Sequence, residues 1–259
     1  LLLQNIDHKA ELYLNSNRYK LFKQLSSNEF YLIKAMIQII LLQKRHTLIH
    51  AAGLARRNQG ILLSALSNTG KTYTALTLAN FHDFEFLSDE MTIVSEKGMA
   101  SSYPIPLSIN DDYVEHFNLK LTPFERFSMN VKDNYIFKIP WFRLLFEPFD
   151  YAVSRLNLTI PKRPIPIKTI FLMERGENSV ERISKEVAFN KLWMNNRMNL
   201  MFYEIRELVA YSYVYNSLNL DELLSASKMI LFSILEHVDE IIMIKRNDKR
   251  FELAILDNI

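Results

Sequence analysis

The run Ala65-Leu66-Ser67-Asn68-Thr69-Gly70-Lys71-Thr72 sets a glycine, a lysine and a hydroxyl in direct succession, an order that suits a chain of phosphates. A loop of this kind wraps an anion in backbone N–H groups, here those from about Asn68 to Thr72, with the positive end of a following helix behind them. Lys71 would lay its ammonium along the β and γ phosphates of a nucleotide, and the Thr72 hydroxyl would hold Mg²⁺. Ser67, Asn68, Thr69, Gly70, Lys71, Thr72 and Tyr73 are therefore the candidate nucleotide-binding residues. The consensus form of such a loop opens on a glycine, and Ala65 stands there. If that position needs a positive φ, it carries strain of roughly 1 kcal/mol or more. Asn68 tolerates left-handed backbone better than most residues.

Holding phosphate is not yet chemistry. Phosphoryl transfer also needs a carboxylate near the metal and the acceptor, and Asp89-Glu90 follows Lys71 by one helix and one apolar strand. An adjacent parallel strand would set this pair beside Thr72. One carboxylate would hold the metal, directly or through water, while the other takes the proton of an attacking hydroxyl. Thr72, Glu90 and Asp89 are the candidate metal ligands. His50 ends a short strand expected to run beside the one that feeds the loop, where a lone histidine is more often a satisfied core residue than a catalyst. An arginine should help neutralise the transferring group, with Arg143, Arg155 and Arg163 as suppliers and Arg163, in Pro-Lys-Arg-Pro, preferred.

These side chains need a frame. Gly60 to Ser64 is an apolar, β-branched run of the kind a buried parallel strand shows, and Tyr73 to Asn80 has Ala75, Leu76 and Ala79 on one helical face. The order is thus strand, loop, helix. Upstream, Ser26 and Glu29 form a capping-box pattern that opens a helix over 28–45, followed by a strand at Thr47–His50 and a hairpin turn at Arg56–Gly60. Strands at 84–88 and 91–94 flank Asp89-Glu90. Residues 111–151 are crowded with aromatics, among them Tyr113, Phe117, Phe124, Phe127, Tyr135, Phe137, Trp141, Phe142, Phe146, Phe149 and Tyr151, and read as a helical lobe packing its own small core, with a substrate-recognition lobe or subunit contact as the alternative. Pro161, Pro164 and Pro166 force an extended approach to a strand at 167–173. Helices follow from Ser184 toward Leu200 and over Asp221–His237, and Ile241–Lys245 with Phe251–Leu256 reads as a closing hairpin.

The expected class is α/β, a mixed sheet flanked by helices, in one domain over 1–259. Within it, 1–45 is an N-terminal extension and helix, 46–110 the nucleotide-binding core, 111–160 the aromatic-rich lobe and 161–259 the C-terminal part of the core. A net charge of +2 is too mild to argue for nucleic acid or an anionic membrane. The chain has no cysteine, which excludes disulfides, zinc-thiolate sites and thiol nucleophiles. Its longest apolar run, Phe30 to Leu42, contains Lys34 and Gln38 and is too short and polar to span a bilayer. No basic region precedes Leu1-Leu2-Leu3, so a signal peptide is not expected and a cytoplasmic setting is.

The block Leu48–Ile109, with its Ile-His-Ala-Ala strand, hairpin, phosphate loop, Leu-Ser-Asp-acidic motif and Pro-Ile-Pro-Leu segment, resembles the catalytic core of the HPr kinase/phosphorylase-like P-loop proteins. That group is structurally related to phosphoenolpyruvate carboxykinase. Pro164–Glu174 and the helix after Ser184 resemble, more loosely, the related kinases found beside peptide-modification genes. The resemblance implies a P-loop core and a catalytic set of Asp89, His50 and Lys71: Asp89 accepts the hydroxyl proton, Glu90 accompanies the metal, and His50 lies close to the phosphates. It implies ATP or another donor nucleotide with Mg²⁺, a hydroxyl-bearing peptide, protein or small-molecule acceptor, with a serine or threonine of a peptide or protein foremost, and room for a homo-oligomer. The glycine-rich signature that follows the two aspartates in HPr kinases is absent, so HPr itself is not the expected acceptor. With Ala65 for glycine and Glu90 for aspartate, the alternative is a catalytically weak nucleotide-binding module that regulates or scaffolds a partner.

Overall fold

Side-chain alternation along the strands sorts the apolar residues onto two faces of one sheet, and helices cover each face. The computed structural model describes residues 2–4, 11–13, 27–103, 105–109, 111–127, 150–198, 205–215, 218–248 and 250–259. The first half runs β1 (Leu2–Gln4), β2 (Glu11–Tyr13), α1 (Ser27–Gln43), β3 (His46–Ile49), β4 (Ala52–Arg56), β5 (Gln59–Ala65), α2 (Lys71–Phe81), β6 (Glu85–Ser88), β7 (Thr92–Ser95), β8 (Met99–Ser101), β9 (Leu107–Ser108) and α3 (Asp111–His116). The second half runs β10 (Asp150–Tyr151), β11 (Ile165–Arg175), β12 (Ser179–Arg182), α4 (Lys185–Arg197), α5 (Arg206–Val214), α6 (Leu220–His237), β13 (Glu240–Arg246) and α7 (Phe251–Leu256).

Nine strands join one mixed sheet along the path β3-β7-β8-β11-β5-β4-β6, with β13 beside β11 and β12 beside β13. At its centre β5, β11 and β13 run parallel, while β4 lies antiparallel to both β5 and β6. The alternation is clean on the central strands. Leu62 of β5 and Ile170 and Leu172 of β11 face a core built with Leu32, Ala35 and Ile39 of α1, Leu192 of α4, and Leu231 and Ile234 of α6. Ile61, Leu63, Phe171 and Met173 face the opposite core, with Ala75 and Leu78 of α2 and Phe251 and Ile255 of α7. The chain is thus α/β with helices on both faces of a mixed sheet.

Three sequence expectations change. Phe251–Leu256 is a helix rather than the second strand of a closing hairpin. Its buried residues Phe251, Ala254 and Ile255 recur at helical spacing, and a run this short is ambiguous between the two periods. The strand containing His46–Ile49 pairs with β7, so β4, not β3, lies beside β5. Among the aromatics of 111–151, Tyr113, Phe117 and Tyr151 join the core beneath α2, and Phe124 and Phe127 are exposed. Tyr135, Phe137, Trp141, Phe142, Phe146 and Phe149 lie outside the described residues, as does Ser26 of the expected capping box. No described helix is long and apolar enough to cross a membrane.

Candidate active site

Two strand breaks make the site. β3 pairs antiparallel with β7 and β4 pairs antiparallel with β6, and the register carries across the gap: Ile49 faces Thr92, and four residues on, Gly53 faces Ser88, four residues before Thr92. The two pairs are therefore one ribbon, bent where His50-Ala51-Ala52 opposes Asp89-Glu90-Met91. The Ala51 amide turns back to the Ile49 carbonyl (2.8 Å), which ends β3 and frees His50 from the ladder. Hydroxyls stand in for the lost ladder bonds, with Gly53 N–H donating to Ser88 Oγ (3.2 Å) and Thr92 Oγ1 to the Ala51 carbonyl (2.9 Å). A Cβ at Gly53 would come within 2.8 Å of Thr92 Oγ1, so the bend requires glycine there. β6 runs in the direction of β5 with β4 between them, so Asp89 does not come from an adjacent strand. Both strands nevertheless end at one sheet edge, where ligands bind in open α/β sheets.

The loop that leaves β5 at this edge is turned by Asn68 and Gly70. Asn68 has a φ of 64° and Gly70 a φ of 121°. Ala65 closes β5 without a positive φ, so the replaced glycine costs no backbone strain. Ser67 and Asn68 form the exposed tip. Thr69 is buried and turned inward, its amide and hydroxyl both donating to the Leu66 carbonyl at 3.3 and 2.8 Å. Gly70 caps α2 with no side-chain hydrogen bond, and no acidic residue occupies the helix's first turn. By contrast, α4 and α6 have Ser184 and Asn219 as caps and Glu186, Asp221 and Glu222 in their first turns. The amides at the start of α2 thus present partial positive charge without a capping side chain.

Lys71 folds inward to meet His50. Its Nζ donates to His50 Nε2 (3.0 Å), and an ammonium has no acceptor lone pair, so Nε2 must be the unprotonated ring nitrogen. The proton then sits on Nδ1 and is donated to Asn195 Oδ1 (2.9 Å). Asn195 Nδ2 in turn donates to Ser64 Oγ (3.0 Å) and to the carbonyls of His50 and Ala65 (both 3.3 Å), while the His50 amide donates to Asn196 Oδ1 (3.0 Å). Burial lowers the His50 pKa, and the Lys71 charge lowers it further. Burial also lowers the pKa of Lys71, opposed by the charges of Asp89 and Glu90.

Thr72 points to the other side of the helix start, its hydroxyl donating to Asp89 Oδ2 (2.9 Å). Asp89 is buried and its Oδ1 has no partner. Burial raises its pKa, against the opposing pull of Lys71 and the Thr72 hydroxyl. No ion pair joins Lys71 to Asp89 within 4.0 Å, so this carboxylate is held by a hydroxyl alone. Glu90 is exposed and bonds to neither Lys71 nor Thr72. A hydroxyl, a carboxylate with a spare oxygen and a nearby second carboxylate suit Mg²⁺, which takes few protein ligands and fills its shell with water and phosphate. Among the described residues no group of three or more His, Cys, Asp or Glu forms an all-protein metal cage.

Tyr73 lies in an aromatic cluster with Tyr113, His116 and Phe117, its hydroxyl 3.1 Å from His116 Nε2. Burial, with Asp89 adding its charge, pushes the Tyr113 pKa up to about 12. Two of the three candidate arginines do not fit the expected role. Arg163 bonds Asn58 (3.4 Å) in the β4–β5 turn, the length of β5, about 20 Å, from the loop. Arg155 is engaged by Glu125 (2.6 Å) and by the Tyr151 ring, and Arg143 lies outside the described residues. The fold brings together His50, Lys71, Thr72 and Asp89 of the expected set, and adds Asn195, Asn196 and Ser64. The added asparagines carried a signal: Ala188 and Leu192 mark the buried stripe of α4, and Asn195-Asn196 continue it three and four residues on.

No family model matches this chain, and no curated protein matches it either.

Proposed function

We propose that this chain is a P-loop phosphotransferase that uses Mg²⁺ and a nucleotide, ATP or a related donor, to phosphorylate a hydroxyl on a serine or threonine of a peptide or protein. One observation supports the reading above the others: Lys71, Thr72 and Asp89 converge at an uncapped helix start, with a buried carboxylate oxygen left without a partner. The loop amides and Lys71 take the β and γ phosphates. Thr72 and Asp89 hold the metal, which when bound neutralises charge on the transferring group. Asp89 suits this role better than proton acceptance, because Thr72 holds one of its oxygens and protein buries the other. Glu90, next in sequence and exposed, is the carboxylate that an incoming acceptor meets first. Its oxygen takes the hydroxyl proton as the acceptor oxygen bonds the γ phosphorus and the bridging bond to the β phosphate breaks, the electron pair leaving with the diphosphate. A nucleotide donor and a chain without cysteine fit a cytoplasmic setting.

Paired variants test the assignment. Asp89→Asn should weaken Mg²⁺–nucleotide binding by about tenfold or more. Glu90→Gln should bind as wild type does and transfer phosphate about a hundredfold more slowly. The reverse pattern, with binding kept in Asp89→Asn, would return proton acceptance to Asp89. A second reading, a nucleotide-binding regulator with little turnover, rests on Thr69, whose amide is tied to Leu66 rather than free for phosphate. It predicts tight nucleotide binding with no γ-phosphate release or transfer from wild-type protein.

A further inference from the structure

We propose that Asn195 is a positioning residue of the phosphate site: its side-chain oxygen fixes His50 as the Nδ1–H tautomer, so that Nε2 holds the Lys71 ammonium away from Asp89. The proposal rests on the phosphotransfer reading for its consequence but not for its geometry. Asn195 is buried at the end of α4 and reaches across to the root of the loop, bonding His50, Ser64 and the Ala65 carbonyl at once. Those three amide-donor contacts settle the orientation of the side chain, because only its nitrogen can donate to two carbonyls, which leaves the oxygen for His50 Nδ1–H.

The consequence follows from the alternatives open to Lys71. With the proton on Nε2 instead, the ring would present a donor to an ammonium that has only donors. Lys71 would leave the imidazole, and the charge that acts on it most strongly is that of Asp89, whose unpartnered Oδ1 can compensate a buried cation. A lysine seated there takes the oxygen that the metal needs. The imidazole is thus a neutral perch that keeps the lysine close to the phosphates and the carboxylate open, and Asn195 is what makes it a perch. This role differs from proton transfer by His50, since Nε2 is already engaged by Lys71.

Nitrogen-15 NMR of the imidazoles in the full chain, without nucleotide, reads the tautomer directly. Wild type should show His50 with a protonated Nδ1 and an unprotonated Nε2. Asn195→Ala should lose that pattern, whereas Asn195→Asp, which keeps the acceptor, should retain it. In parallel, Mg²⁺–ATP affinity should fall about tenfold or more in Asn195→Ala and stay within about threefold in Asn195→Asp, the size of effect seen for outer-shell partners of metal sites. A wild-type His50 protonated on Nε2 overturns the proposal without any variant, and so does an unchanged tautomer in Asn195→Ala. If Asn195→Ala does not fold, the wild-type spectrum and Asn195→Asp still decide. Absence of nucleotide binding in wild type with the expected spectrum would instead sink the phosphotransfer reading and leave the tautomer assignment standing.

Discussion

A buried ammonium beside a buried carboxylate ordinarily pairs with it, yet Lys71 donates to an imidazole and Asp89 receives a hydroxyl. On the proposed phosphotransfer reading, each group is thereby held in a state that a phosphate and a metal can displace. His50 pays no part of this as a cation: burial and the Lys71 charge depress its folded pKa below the ordinary 6.5. A depressed histidine contributes stability that is present above pH 6.5 and lost as pH falls through its folded pKa, because the unfolded chain takes up the proton first. The urea midpoint of wild type should therefore fall as the pH is lowered below 6.5, more steeply than that of His50→Asn. Parallel slopes in the two proteins would contradict the buried, neutral imidazole. Of these residues, Lys71, Thr72 and Asp89 were legible in sequence because their types and order match a known chemistry. Asn195 left only a faint mark, its place on the Ala188–Leu192 stripe, because an asparagine in a helical pattern reads as surface until the sheet edge is seen to lie against it.

At the scale of elements, the loop owes its shape to Asn68 and Gly70, and Ala65 belongs to the strand. Sequence comparison with a consensus marks Ala65 as a defect, whereas the backbone shows an ordinary buried strand residue whose carbonyl serves Asn195. Ala65→Gly should therefore not improve nucleotide affinity, and should cost about 0.5–1 kcal/mol of stability in urea unfolding. Gly70→Ala, at a φ of 121°, should cost about 1–2 kcal/mol or more and weaken phosphate binding. A gain in affinity for Ala65→Gly would mean that the first loop position is under strain after all. Strand and helix placement along 46–95 was legible from periodicity and turn residues, except for β4, which no expected strand covered. The bend joining β3 to β4 was not, because a two-residue break inside an apolar ribbon leaves no local mark, and it is what moves His50 off the strand beside β5.

For the whole molecule, a three-strand parallel centre with antiparallel flanks gathers the candidate site residues at one edge, where β5 and β6 end and β4 begins. The α/β class was legible because buried strands and amphipathic helices differ in period. Strand order was not, since it depends on contacts between residues far apart in the chain, as the displacement of Arg163 to the opposite edge illustrates. The same topology makes nucleotide binding simple to test, because one helix start either binds nucleotide phosphates or does not. Calorimetric titration of the full chain with ATP, with and without Mg²⁺ and repeated on Lys71→Ala, is the most direct measurement. Mg²⁺-dependent binding in wild type that weakens by about tenfold or more in Lys71→Ala is the predicted result, the scale expected when a charge-assisted phosphate contact is lost. Absence of binding in wild type, or equal binding by wild type and Lys71→Ala, would contradict it.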